Sequence, residues 1–149
     1  MSVGSVMIGL QASRGDGRGV KGKEFISPLN IRPGEVEFTR TNGRAWESGM
    51  VWFSVLRLSD FDFVDKSTDA GAQSEAFDFA IEEAFRSAAR FLDQRPPEII
   101  NTIRAAGMTL QIFIEIRMDQ DQMELKFPAE FISACGRHQL GVYIISNDY

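Results

Sequence analysis

The chain has 149 residues, is 44% hydrophobic and carries a formal charge of −5, with a sequence pI near 4.9. That is enough apolar material for one domain with a core, and the acidic balance excludes non-specific nucleic-acid binding, which needs a basic surface to displace counterions. A single cysteine, Cys135, excludes an internal disulfide and a cysteine-rich zinc site.

No apolar run approaches the roughly 18 residues of a membrane span. The start of the chain lacks the basic region of a secretory signal, so the expected compartment is the cytoplasm. No Pro/Ser-rich linker divides the sequence, and one domain over residues 1–149 is expected.

Residues 3–12, which include "SVMIGLQA", form the first expected strand. Residues 13–34 follow as a polar connection punctuated by Gly and Pro, expected to be flexible. Within it Gly17, Gly19 and Gly22 spell G-x-G-x-x-G, and Gly17 to Lys23 also spells G-x-x-x-x-G-K. A phosphate cradle of that kind needs a hydroxyl after the lysine and a helix beginning there. Glu24 stands in the hydroxyl's place, and Ile26-Ser27-Pro28 behind it is expected to bar a helix. Without a crossover helix the dinucleotide reading fails too. What remains is a mobile loop or a basic contact loop carrying Arg14, Arg18, Lys21 and Lys23.

Residues 35–41 alternate, with Val36 and Phe38 set against Glu37 and Thr39, and Asn42-Gly43 is a turn signal. Residues 50–58 read as a strand and residues 60–72 as an acidic loop. The strings 60–65 and 119–124 invite comparison with calcium loops, which need glycine at the sixth position. Asp65 and Glu124 stand there instead, so no metal site is expected.

From Ser74, a candidate N-cap, the period changes. Phe77, Ile81, Ala84, Phe85, Ala88 and Leu92 share one helical face, and Glu82 precedes Arg86 at i,i+4. Pro96-Pro97 ends that helix and opens a shorter one bearing Ile99, Ile100 and Ile103, stopped by Gly107. Residues 108–118 then alternate strictly, Met108, Leu110, Ile112, Ile114, Ile116 and Met118 against polar neighbours and Phe113, which is a long strand with one buried face. Residues 123–127 are expected to return as its hairpin partner. Pro128 opens a third helix and residues 140–145 close as a strand. The order β-β-β-α-α-β-β-α-β makes an α+β domain, a mainly antiparallel sheet with helices packed chiefly on one face.

Candidates for chemistry are few. Cys135 and His138 lie at i,i+3, but Cys135 falls in the last helical turn, where the dipole disfavours a thiolate. It reads as a small core residue, and His138 as a cap or surface residue. Trp46, Trp52, Phe53, Phe61 and Phe63 crowd one region as core or interface anchors. No spacing singles out a pair of carboxylates for acid–base work. No catalytic residue, cofactor or metal is therefore assigned.

The stretches "AFDFAIEEAFRSAARFLDQRPPEIINTIRAAGMTLQIFIEI" and "MELKFPAEFISACGRHQLGVYIIS", with "LNIRPGEVEFTRTNG" and "GMVWFSVLRL" before them, carry a pattern that resembles a bacterial domain-of-unknown-function family, number 4279. The chain departs from it at Gln139, where the family has glycine, and in its glycine-rich, basic N-terminal connection. The resemblance implies a small acidic cytoplasmic protein of the immunity type, found beside toxin genes.

The expected function is a non-catalytic protein-binding domain that neutralises a cognate toxin by occluding its active site. Asp60, Asp62, Asp65, Asp69 and Trp46 are the candidate contacts: the aspartates would meet a basic cleft and the tryptophan would anchor the interface. The expected state is a monomer or small homo-oligomer, bound to neither nucleic acid nor membrane. The alternatives are a small-molecule-binding or hydrolytic enzyme with a pocket between sheet and helices, and a structural component of a larger assembly.

Overall fold

The computed structural model describes residues 4–41, 48–61, 75–118 and 124–148. The strands β1 (Ser5–Ser13), β2 (Phe38–Arg40), β3 (Gly49–Arg57), β4 (Thr109–Met118) and β5 (Gly141–Asp148) form one sheet in the order β2-β3-β1-β4-β5. Four helices accompany them: α1 (Gly22–Leu29), α2 (Glu75–Asp93), α3 (Pro97–Ala105) and α4 (Ala129–Arg137). β1 runs antiparallel to both its neighbours, and β2 antiparallel to β3. Only β4 and β5 are parallel, because α4 carries the chain back between them. The architecture is α+β.

The period-2 alternation in β4 sends Leu110, Ile112, Ile114 and Ile116 to one face, each at most 8% exposed. From β1, Val6, Ile8, Leu10 and Ala12 join them at 0%. α2 lays Phe77, Ile81, Phe85, Ala88 and Leu92 on the same core. Burying each large apolar side chain stabilises the fold by roughly 1.5–3 kcal/mol. A bulge in β3 leaves Phe53 as the extra residue between Ser54, opposite Ile8, and Trp52, opposite Gly9. Phe53 packs on Phe91 of α2 at 4.9 Å between ring centroids, while Trp52 faces the other way.

Two expectations are corrected. The connection over residues 13–34 contains a helix, α1, despite Pro28 in its last turn. Tertiary contacts outweigh the proline: Phe25 and Leu29 are fully buried, and the first-turn carboxylate of Glu24 pairs with Arg14, which also donates to the Ala106 carbonyl at 2.9 Å. At the other end, Arg95 donates to the Leu29 carbonyl at 2.6 Å and to that of Asn30 at 3.4 Å. The same guanidinium reaches the Phe91 carbonyl at 2.7 Å and both carboxylate oxygens of Glu35, and lies 3.5 Å from the Phe91 ring centroid.

The second correction concerns the hairpin expected after β4. Residues 124–128 form no strand. β4 already has β1 on one side and β5 on the other, so it has no free edge to offer them. The segment crosses the core instead, with Phe127 against Phe85 at 5.1 Å and Phe131 at 5.9 Å.

Candidate functional site

All four helices pack on the face that carries the alternating aliphatic residues. The opposite face of the sheet is covered by none of the described elements. Its strands are in a register that lines up one residue from each: Phe38 is opposite Trp52, Trp52 opposite Gly9, Gly9 opposite Phe113, and Phe113 opposite Tyr143. Four aromatic rings and one glycine thus cross the whole sheet in a row.

The rings touch. Phe38 and Trp52 lie 5.9 Å apart, Trp52 and Phe113 meet edge to face at 6.0 Å, and Phe113 stacks on Tyr143 at 5.9 Å. Such pairs contribute roughly 0.5–1.5 kcal/mol each beyond the area they bury. Gly9 makes the middle contact possible. A Cβ there would come within 2.9 Å of the Met50 sulfur and the Val51 carbonyl oxygen, and 3.0 Å of the Trp52 ring. Phe38 and Tyr143, at the two ends, are 44% and 49% exposed, while Trp52 in the middle is buried.

Amides and charged groups flank the row, interspersed with Met7, Met50 and Val55. On one side Gln111 donates to the side-chain oxygen of Gln11 at 2.6 Å, and Arg40 follows in the same register beyond Met50. On the other, the Glu115 carboxylate accepts from Arg117 at 3.0 Å and Asn147 at 3.3 Å, and Arg57 lies exposed nearby. The described charges on this face are therefore three arginines against one glutamate, the reverse of the chain as a whole.

The opposite side of β5 forms a groove with α4. This cavity of about 380 Å³ is lined by Phe127, Phe131, Ile132, Cys135, Gly136, Leu140, Val142 and Ile144, with no charged side chain among them. Cys135 is buried as expected, and burial pushes its thiol up to about 11. The neutral thiol is a poor nucleophile at ordinary pH.

His138 is the C-cap of α4, as expected of a cap, but it is only 4% exposed, which corrects the expectation of a surface position. Burial also lowers its pKa against the opposing pull of Asp93, 3.9 Å away, and its Nδ1 has no partner among the described residues. The turn around it explains its position: the Leu140 N–H reaches the Cys135 carbonyl at 2.8 Å and the Gln139 N–H that of Gly136 at 3.1 Å. This is a Schellman cap built on Gln139 at φ 52°, and it folds His138 inward. Arg104 secures the cap by donating to the carbonyls of His138 and Gln139 at 2.8 and 2.7 Å.

Of the proposed partner contacts, Asp60 is exposed in a 3-10 turn (Leu58–Asp60) after β3. Asp62, Asp65, Asp69 and Trp46 lie outside the described residues. The glycine motif now does have a helix behind it, so that ground for setting aside a nucleotide no longer holds. A different one replaces it: the positive end of α1 is taken by Glu24 and its ion pair with Arg14. β1 is also flanked by antiparallel strands, unlike the parallel unit that positions a phosphate loop. Among the described residues, no three His, Cys, Asp or Glu side chains gather as a metal site, and no helix is long and apolar enough to cross a membrane.

The aromatic row escaped sequence reasoning because it exists only across strands. One signal was present: Phe113 is the lone apolar member of the outward set Thr109, Gln111, Glu115 and Arg117.

Fold and surface define a small α+β protein with one sheet face covered by helices and the other, crossed by aromatic rings, covered by none of the described elements. The chain matches no protein-family model, no curated protein and no solved structure.

Proposed function

We propose that the protein is a non-catalytic binding domain that holds a protein partner on the open face of its sheet, acting as an immunity-type inhibitor of a cognate toxin. The observation that carries this reading is the aromatic row in a single register across all five strands, flanked by amides and arginines. An aromatic centre inside a polar, arginine-rich margin is the anatomy of a protein interface. The alternative of a hydrolytic enzyme gains little from the groove beside β5, whose lining is apolar and whose cysteine stays protonated. The resemblance to the immunity-like family supplies the toxin as partner, and the cytoplasm as the place of action.

The acidic segment from Asp60 onward is retained as a second contact, and its charge suits a basic cleft. The test is growth rescue on co-expression with the product of the neighbouring gene. The wild-type chain rescues. Phe38→Asp with Arg40→Glu abolishes rescue, and charge reversal at Asp60, Asp62, Asp65 and Asp69 weakens it. No rescue by the wild type, or full rescue by the Phe38→Asp/Arg40→Glu variant, overturns the reading.

A further inference from the structure

The two edges of the sheet are unlike each other. β2 is a three-residue strand ending in Arg40, short and charged as exposed edges usually are. β5 is eight residues long and pairs with β4 in unbroken register, with no described strand on its outer side. From Gly141 to Asn147 it has no lysine, arginine, proline, charge or bulge. Its apolar side chains are exposed on both faces: Val142 at 44% and Ile144 at 46% toward the groove, Tyr143 at 49% on the open face. Across the groove, Ile132 of α4 is 58% exposed. Among the described residues, none of the devices that keep an edge from pairing is present over 141–147.

We propose that β5 pairs antiparallel with β5 of a second copy, about a two-fold axis at Tyr143, joining two sheets into one of ten strands. Facing residues of an antiparallel pair share a side of the sheet, so a symmetric pairing centres on one residue. Centring on Ile144 would set Val142 opposite Ser146. Centring on Tyr143 sets Val142 opposite Ile144 twice on the groove side, and Tyr143 opposite its own copy on the open face. Both helix layers then lie on the same side, and the two α4 helices close over the seam with Ile132 between them.

The surface suffices. Half-exposed, these four side chains leave roughly 350 Å² per protomer, so a pair hides on the order of 700 Å² of apolar surface. Strand backbone and the margins of α4 carry the total toward the ~1,200 Å² at the low end of specific interfaces. Apolar cross-strand pairs add to that. Area does not fix affinity, but an interface at this low end is expected to associate weakly, with a dissociation constant on the order of micromolar.

The experiment is sedimentation equilibrium and light scattering of the full chain from about 1 to 200 μM, a range set to bracket a micromolar dissociation constant. The wild type runs as a dimer at the upper end. Val142→Lys/Ile144→Lys, at exposed positions, is monomeric there with unchanged far-UV circular dichroism, its dissociation constant raised tenfold or more. Thr39→Lys on the opposite edge leaves the dimer intact.

Register is read by cross-linking. Tyr143→Cys forms a covalent dimer under mild oxidation, since facing Cα atoms at about 5 Å suit a disulfide, while Asn147→Cys does not. A wild type monomeric at the top of the range, a dimer unmoved by the two lysines, or linkage at 147 in place of 143 overturns the proposal.

Discussion

Replacing Arg95 with methionine keeps an unbranched apolar chain at the site and removes the guanidinium that stacks on the Phe91 ring, from a side chain 6% exposed. All the N–H donors of that group are engaged: the Leu29, Asn30 and Phe91 carbonyls take three, and the two oxygens of Glu35 take the others. The substitution leaves a carboxylate whose side chain is 14% exposed without its partner. Removing one member of such a buried pair costs about 3–5 kcal/mol. The carbonyls at the C-terminal end of α1 lose acceptor contacts as well, so the upper half of that range is expected.

Against a total stability of about 5–15 kcal/mol, the loss lowers Tm by roughly 10–15 °C for a chain of this size. Urea unfolding followed by circular dichroism measures it, and Glu35→Gln in both backgrounds closes a double-mutant cycle. Hydrogen bonding to Arg95, then to the Arg32 N–H, holds the Glu35 carboxyl below its ordinary value of 4.5. That contribution is complete above pH 4.5 and fades as the pH falls through the lower folded value. Arg95→Met therefore flattens the acid limb of the stability curve. A loss under about 1 kcal/mol, or Glu35→Gln costing the same with and without Arg95, refutes this account of what secures α1.

Three further outcomes are expected. Gly9→Ala drives a Cβ against the Val51 carbonyl and the Trp52 ring, which costs about 1–3 kcal/mol and shifts the tryptophan emission as Trp52 parts from Phe113; an unchanged spectrum and Tm would contradict it. Gln139→Gly relieves the positive φ of 52° and raises stability by a few tenths to about 1 kcal/mol, measured by thermal melting. His138 is held neutral by burial, its pKa below 6.5, so the unfolded chain binds its proton first and stability declines as pH drops below 6.5; His138→Gln removes that slope, which denaturant midpoints between pH 7 and pH 5 register.

The elements that could be read from the sequence are those whose pattern is local and strong. The alternation from Met108 to Met118 and the stripe from Phe77 to Leu92 each name an element and its buried face, and the structure has both. α1 was not legible because Lys23, Glu24 and Leu29, which suit a helix, are outweighed within it by residues that do not. It carries Gly22 and Pro28, and the partners that hold it, Arg14, Arg95 and Gly49 with its close approach to Phe25, come from elsewhere in the chain. The segment 124–128 was misread because Leu125 and Phe127 alternate as a strand would, yet β4, the strand it would have paired with, has both edges taken. The cap position of His138 was legible, but its burial was missed because Gln139, rather than glycine, makes the left-handed turn that folds it inward. The open face needed the register of five strands, which no local window contains.

The central position of β1 bears on when the sheet can form. Its neighbours are β3 and β4, and the Gln11–Gln111 hydrogen bond joins residues 100 apart in the chain. As the ribosome delivers the chain from its N-terminus, β1 emerges long before β4 and can pair at first only with β3. Until β4 arrives, the side of β1 that will become the middle of the sheet is itself a bare edge of Val6, Ile8 and Leu10. Pairings this distant in sequence make a slow folder, and the interval before β4 is complete is when this protein is most open to aggregation or to a chaperone.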